Sequence, residues 1–453
     1  MRIAEIHAYH VPISLRRPIR HALAERTHSQ NLIIRCQLED GTVGWGEGVP
    51  RQYVTGESIE DAFDLFSQSQ LKEQLGARFP DFPAVIECVD RLTLARKPDD
   101  LRGIHGNAAR CAVELSILDA FGHYFNCPLS RITQTIPSMK SLHHLQASVQ
   151  YSGAITAESG VHEFISSLKM KIYGFAQCKV KVGILGQNDP SRIKRIRSVL
   201  GNRVDLRIDA NASWTLDRAT EQLAILSPFN ITSVEQPLPH EQAKLLPSLR
   251  SRTDIPIMLD ESLCSEQDGQ EAIASGLCDL FNIRISKCGG FVRSVKLACL
   301  AHRFNLGYQL GCHPGESSIL SAAGRHFAAS VVNIVYLEGS YDRHILRALH
   351  RWYDVPEKAS LTYAANWARD YFGEYAALAN QYMFHRERLA RLRERARDHV
   401  TGVVSRAFVR AAAGHRQPSA ARGLRAPGGR RRRILRRRLL RRRLRLRRRL
   451  RLR

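Results

Sequence analysis

The 453-residue sequence predicts an α/β protein: a (β/α)8-type barrel with a small α+β domain before it and a basic, low-complexity C-terminal tail after it. Three observations predict this. From about residue 146, short apolar runs alternate with segments of helical period, eight times over. Before residue 128 the order differs, with strands first and helices following as a block. After residue 402 no acidic residue occurs, and from residue 430 the composition collapses to little more than arginine and leucine.

The elements follow in order. "MRIAEIHAYHVPI" alternates like a strand and lacks the apolar core of a signal peptide. "NLIIRCQLEDGTVGWGEG" (31–48) holds two alternating runs around "EDG", a hairpin signal. From about 58 to 128 the period is helical. "NAARCAVELSILDAFGHYF" (107–125) has apolar residues three and four apart, and "NCPL" ends it. The first domain is thus expected over 1–128. The barrel is expected over 129–345, with strands in "QASVQYSG", "CKVKVGI", "VDLRIDAN", "ITSVEQPL", "IPIMLDES", "LFNIRISKCGG", "GYQLGCHPG" and "NIVYLEGS". Residues 346–402 read as a helical extension, and 403–453 as a disordered Arg/Leu tail that packs no core of its own.

The net charge of +25 belongs to that tail. Residues 401–453 hold 21 arginines and no acid, and the rest is close to balance at 47 basic against 43 acidic residues. Such a run attracts nucleic acid or an anionic surface through charge alone. It lacks interleaved aromatic residues and any nucleic-acid module, so only non-specific contact is expected. No run reaches the ~18 apolar residues of a membrane span. The ten cysteines form no CxxC pair and mostly sit in apolar stretches, which suits buried thiols in a cytoplasmic protein.

In a barrel of this type the chemistry sits at the C-terminal ends of the strands. Polar residues recur there: Lys179, Lys181, Asp209, Glu235, Asp260, Lys287, Glu316 and Glu338. From Lys179 through Asp209, Glu235 and Asp260 to Lys287 the gaps are 30, 26, 25 and 27 residues, one β/α unit each. A single strand-end acid is accounted for as the cap of the next helix. Three on consecutive strand ends repel one another in a partly dry site and need a cation. All-oxygen ligands with room for water suit Mg²⁺ first and Mn²⁺ next.

"CKVKVG" (178–183) puts Lys179 and Lys181 on one face of a strand. A lysine base must be neutral, and bringing its pKa from about 10.4 to about 7 or 8 takes about 4 kcal/mol. Burial, a neighbouring ammonium and a nearby metal all push that way. Lys287, four strands round the barrel, is expected to face the pair. Amines on opposite faces suit proton removal from one face and delivery, or charge stabilisation, at the other.

In "KVK" (179–181), "DAN" (209–211), "VEQP" (234–237), "DES" (260–262) and "SKCGG" (286–290) the chain resembles the enolase superfamily, within its muconate lactonizing enzyme (mandelate racemase/muconate cycloisomerase) subgroup. "DGTVGWGE" (40–47) and "AVELSILDAFGHYFNCPL" (112–129) resemble that family's capping domain, so the resemblance spans about residues 1–345. It implies that Asp209, Glu235 and Asp260 hold Mg²⁺ and that Lys181 is the base. Lys179 would tune it or touch the substrate carboxylate, and Lys287 would be the acid/base or cationic stabiliser of the other face. Asn211 and Glu261 would lie beside the metal. Two lid loops, 17–27 and 49–58, would bring Arg20, His21, Arg51 and Tyr53 to the substrate. Glu316 resembles the subgroup's strand-7 glutamate. Glu338 is the one acid where dipeptide epimerases carry an Asp-x-Asp pair that holds the substrate ammonium.

The implied activity is removal of a proton alpha to a carboxylate through a metal-stabilised enolate. The reaction would be a muconate-type cycloisomerisation, or a racemisation or epimerisation, of a small carboxylate. Dipeptide epimerase and o-succinylbenzoate synthase-like activities are the alternatives, and a homo-oligomer is implied.

Overall fold

Strand Val43–Gly48 (β3) carries Gly44, Gly46 and Gly48 on one face because a helix lies directly on it. A Cβ at these positions would come within 2.1 Å of Ala120 N, 1.9 Å of Ala112 O and 2.0 Å of Ala108 O. With Ser116 those alanines recur every fourth residue on the helix Asn107–Tyr124, so a small-residue stripe meets a glycine face. The helix is buried nearly all round, and its residues join one core with Leu32, Ile34 and Cys36.

β3 is the third strand of an antiparallel sheet, after Ile3–His21 (β1) and Ala24–Leu38 (β2). The computed structural model of the chain describes residues 1–339 apart from 22, 23, 96, 98, 99, 147 and 157–159, and only the backbone of 16–26. The expected extension 346–402 and tail 403–453 lie outside the described residues. The first lid segment is not an open loop. Arg20 pairs with Glu25 and His21 with Ala24, so β1 and β2 continue as a hairpin almost to its tip.

Eight parallel strands follow, each hydrogen-bonded to the next in chain order: Gly153–Ile155 (β4), Gln177–Lys181 (β5), Asp205–Asp209 (β6), Ile231–Glu235 (β7), Ile257–Leu259 (β8), Leu280–Ile283 (β9), Gly307–Leu310 (β10) and Ile334–Leu337 (β11). Ser152 donates its N–H to Leu337 O at 2.8 Å, which joins the first strand to the last and closes the barrel. Helices cross between the strands. Those starting at Asp189, Leu216, Glu266 and Ser318 are capped by the side chains of Asn188, Thr215, Ser265 and Ser317. Among the described residues no helix is long and apolar enough to cross a membrane, and all ten cysteines are free thiols.

One expected strand is displaced. "QASVQYSG" alternates, but the barrel strand begins only at its last residue, Gly153. The backbone of Gln146 bonds instead to Ala329 O, and its side chain to Val331 O, beside the last described barrel helix.

The N-terminal domain is fastened to the barrel through buried polar groups. Glu47 accepts from Asn31, from the N–H and hydroxyl of Ser317, and from Leu320 N. On the same helix as the alanine stripe, Asn107 donates to Cys264 O and Lys287 O, and Glu114 accepts from Val292 N. Gly290, at φ 128°, makes room for that carboxylate, since a Cβ there would sit 2.5 Å from Glu114.

Candidate active site

Parallel register sets up the site. Lys181 on β5 pairs with Asp209 on β6, and Asp209 with Glu235 on β7, so three charged side chains stand in one lateral row. One layer below, Lys179 pairs with Arg207. Asp260 follows β8 immediately. All three carboxylates are buried.

Each carboxylate is met by cations. Lys181 Nζ donates to Asp209 Oδ2 at 2.7 Å and to Asn211 Oδ1 at 2.6 Å. Lys179 Nζ lies 3.1 Å from Glu235 Oε2, 3.3 Å from Asp209 Oδ2 and 2.7 Å from Glu338 Oε1. Arg284 donates to Asp260 Oδ2 and lies 3.4 Å from Glu235 Oε1. Lys287 Nζ donates to Asp260 O at 2.6 Å, Asp260 Oδ1 at 2.8 Å and Asn282 O at 2.8 Å.

Electrostatics follow from this crowding. Burial alone would raise the Asp209 carboxyl, but Lys181 and Lys179 hold it well below the usual range. Burial and the neighbouring Asp209 push Glu235 up to about 8. Burial pushes Lys179 down, yet Glu235, Glu338 and Asp209 overcome that and raise it, so it stays an ammonium. The like charge of Arg207 is outweighed by three carboxylates.

Other candidates are placed unevenly. Asn211, at φ 45°, turns back to bridge Lys181 and Glu261, donating to Glu261 Oε1 at 3.3 Å. Burial and Asp260 push Glu261 up to about 7. Arg51 is buried and donates to Ser29 Oγ and to Pro314 O, bridging the N-terminal domain and the loop after β10. Tyr53 packs beside Val54, Ile104 and Cys264. The side chains of Arg20 and His21 lie outside the described residues. Glu316 does not cap the helix that follows, since Ser317 does. It accepts from His313 N at 2.5 Å and lines a small cavity with Tyr151, Cys312 and Glu338. Glu338 is held by Arg207 at 2.6 Å as well as by Lys179, and these cations bring it down to about 2 against its burial.

Several site residues carry no signal in strand-end spacing. Gln236 accepts from Asp260 N and Ser262 N, so it aims the third carboxylate. Asn282 and Gln309 both donate to Glu235. Arg284 is reached by counting two residues on from Asn282, along the same face of the chain.

Among the described residues, no three His, Cys, Asp or Glu side chains are drawn together as an ion's ligands, because each acid turns to a cation. In kind, the donors fit a hard divalent ion. Asp209, Glu235 and Asp260 offer only carboxylate oxygen, and beside them the buried Glu261 Oε2 has no hydrogen-bond partner.

Residues 163–364 match the enolase C-terminal domain-like family. The N-succinyl-L-Arg/Lys racemase of Bacillus cereus is 29% identical over 361 residues, 79% of this chain and 92% of that protein. Muconate cycloisomerase 1 of Rhodococcus opacus is 24% identical over 337 residues, 73% of this chain and 84% of that one. The crystal structure of a dipeptide epimerase from Cytophaga hutchinsonii, complexed with Mg and D-Ala-L-Val, superposes with a TM-score of 0.61 at 26% identity, covering 75% of this chain and 86% of that chain. By its fold, its strand-end residues and these matches, the chain is similar to isomerases of the enolase superfamily.

Proposed function

We propose that the chain is a Mg²⁺-dependent isomerase that removes a proton alpha to the carboxylate of a small substrate. The observation that carries this reading is the lateral row Lys181–Asp209–Glu235, continued by Asp260 and flanked by cations on both sides. A divalent ion held by Asp209, Glu235 and Asp260 would supply Lewis-acid stabilisation of negative charge on the substrate carboxylate. The Mg-complexed epimerase neighbour supports that choice of ion. Lys181 is the base. It is the more exposed of the two β5 lysines, with 21% of its side chain accessible against 5% for Lys179. Asn211 orients it, and Lys179 remains a fixed positive charge beneath it.

The substrate class follows from Glu338. Its carboxylate is already shared by Arg207 and Lys179, so it does not stand ready for a substrate ammonium. This favours N-acylated or non-amino carboxylates over dipeptides with a free amino end. The test is ¹H NMR in D₂O with Mg²⁺, across dipeptides, N-succinylamino acids and muconolactone. Exchange of the α-proton, lost on adding EDTA and in Lys181→Ala, is the expected result. Exchange that survives both would overturn the reading.

A further inference from the structure

We propose that Arg284, rather than Lys287, is the cation that faces Lys181 across the bound carboxylate, and that the site therefore works on one face of its substrate. This rests on the enolate chemistry proposed above.

β5 and β9 are separated by β6, β7 and β8 in an eight-stranded barrel, so their ends stand opposite each other. Two side chains near the end of β9 carry charge into this region. Lys287 is fully buried, with a side-chain exposure of 0%. An ammonium has three protons to donate, and all three have acceptors: Asp260 O, Asp260 Oδ1 and Asn282 O. Two of these are main-chain carbonyls, so the group stitches the end of β8 to β9. Its own carbonyl accepts from Asn107 at 2.7 Å, and Gly289 O, two residues on, accepts from Arg110. The "SKCGG" segment is thus one of the places where the N-terminal domain docks.

Arg284 is placed differently. It follows Asn282 on the same face, and Asn282 already reaches Glu235. The guanidinium contacts Asp260 and Glu235, two of the three proposed metal ligands, and its buried Nε has no hydrogen-bond partner. A planar fork of donors matches a carboxylate or the enediolate derived from it.

A guanidinium accepts no proton and gives none up in a protein. The chemistry is then asymmetric. The Cα–H bond breaks, its proton passes to Lys181 Nζ, and the electron pair moves into the carboxylate to form an enediolate. Arg284 donates N–H groups to that charge. The enediolate has two exits. The proton returns from Lys181 to the same face, or the bond from the β-carbon to an oxygen breaks. In the second case that oxygen leaves with the bonding pair and a carbon–carbon double bond forms. Where the oxygen stays tethered, ring opening and its reversal are a cycloisomerisation. Inversion at the α-carbon needs a proton from the far face, which Arg284 does not supply. The racemase and epimerase relatives then differ from this chain in outcome.

The test uses the full chain with Mg²⁺ in D₂O and, separately, each enantiomer of N-succinylalanine and of muconolactone. The expected result is α-proton exchange of one enantiomer of a pair, at least 100-fold faster than the other, with the configuration of N-succinylalanine kept. Arg284→Lys is expected to gain exchange and inversion of the second enantiomer of N-succinylalanine. Binding of dimethylmalonate, which has no α-proton, is followed by calorimetry and is expected to weaken at least 10-fold in Arg284→Met and less in Arg284→Lys. Exchange of both enantiomers by the unsubstituted chain, or dimethylmalonate binding indifferent to Arg284→Met, overturns this proposal alone. No exchange of any of these probes or of the dipeptides overturns the enolate chemistry, and this proposal with it.

Discussion

The two flanks of the site carry similar charge and use it differently. On the β5 flank, Lys181 is partly open and bonds only to side chains, Asp209 and Asn211. On the β9 flank, Lys287 is sealed and bonds mainly to backbone carbonyls, while Arg284 reaches the carboxylates. A buried ammonium whose protons all serve the fold is a structural cross-link. One held by side chains at an open edge is free to exchange partners. Position round the barrel does not distinguish the two lysines; the acceptors do.

The largest expected effect falls on the open flank. Lys181→Ala should slow α-proton exchange by about 10² to 10⁴-fold, the usual contribution of a general base. Its melting temperature should fall less than that of Lys287→Met, because Lys179 still pairs with Asp209, and a larger drop in Tm with exchange intact would reverse the assignment of the two flanks.

On the sealed flank, Lys287→Met leaves Asp260 short of a buried partner. A loss of about 3–5 kcal/mol is expected, read by urea unfolding. Unchanged stability would mean that the three hydrogen bonds do not carry the wall. A smaller loss, about 1–3 kcal/mol, is expected for Gly290→Ala in the same docking segment, where φ is 128° and Glu114 occupies the space of a Cβ. Full stability in that variant would sink the docking account.

The smallest expected effect is in pH dependence, at Glu316 between the flanks. Burial pushes its carboxyl from 4.5 up to about 8. The fold favours the neutral form. Its stabilisation is complete below pH 4.5 and is lost as pH rises through about 8. Relative to Glu316→Gln, the unsubstituted chain should therefore lose stability as pH rises from 4.5 to about 8, and no further above that. Parallel Tm profiles would contradict this.

Much of this was legible in the sequence. The eight alternations report β/α units because apolar strands buried on both faces read as short continuous runs. The glycines of "VGWGEG" and the alanines of the facing helix are equally visible, although their fit is not. The spacing that finds Asp209, Glu235 and Asp260 does so because each ends a strand or directly follows one. The same spacing selects Lys287 over Arg284, since a chain leaving a strand can turn either residue inward. Parity with Asn282 favours Arg284, but that needs the strand's end to be known. The contact of Lys179 with Glu338 has no signal in the local sequence, because Glu338 directly follows β11 and is 159 residues from Lys179 in the chain. "QASVQYSG" misled because alternation does not say which neighbour the backbone will bond.

Both flanks depend on the carboxylates between them. The most direct measurement is a Mn²⁺ titration of the full chain followed by electron paramagnetic resonance, with Mg²⁺ as competitor. The account predicts one competable Mn²⁺ per chain, weakened at least 10-fold in each of Asp209→Asn, Glu235→Gln and Asp260→Asn. Binding that is absent, or indifferent to all three substitutions, would contradict it.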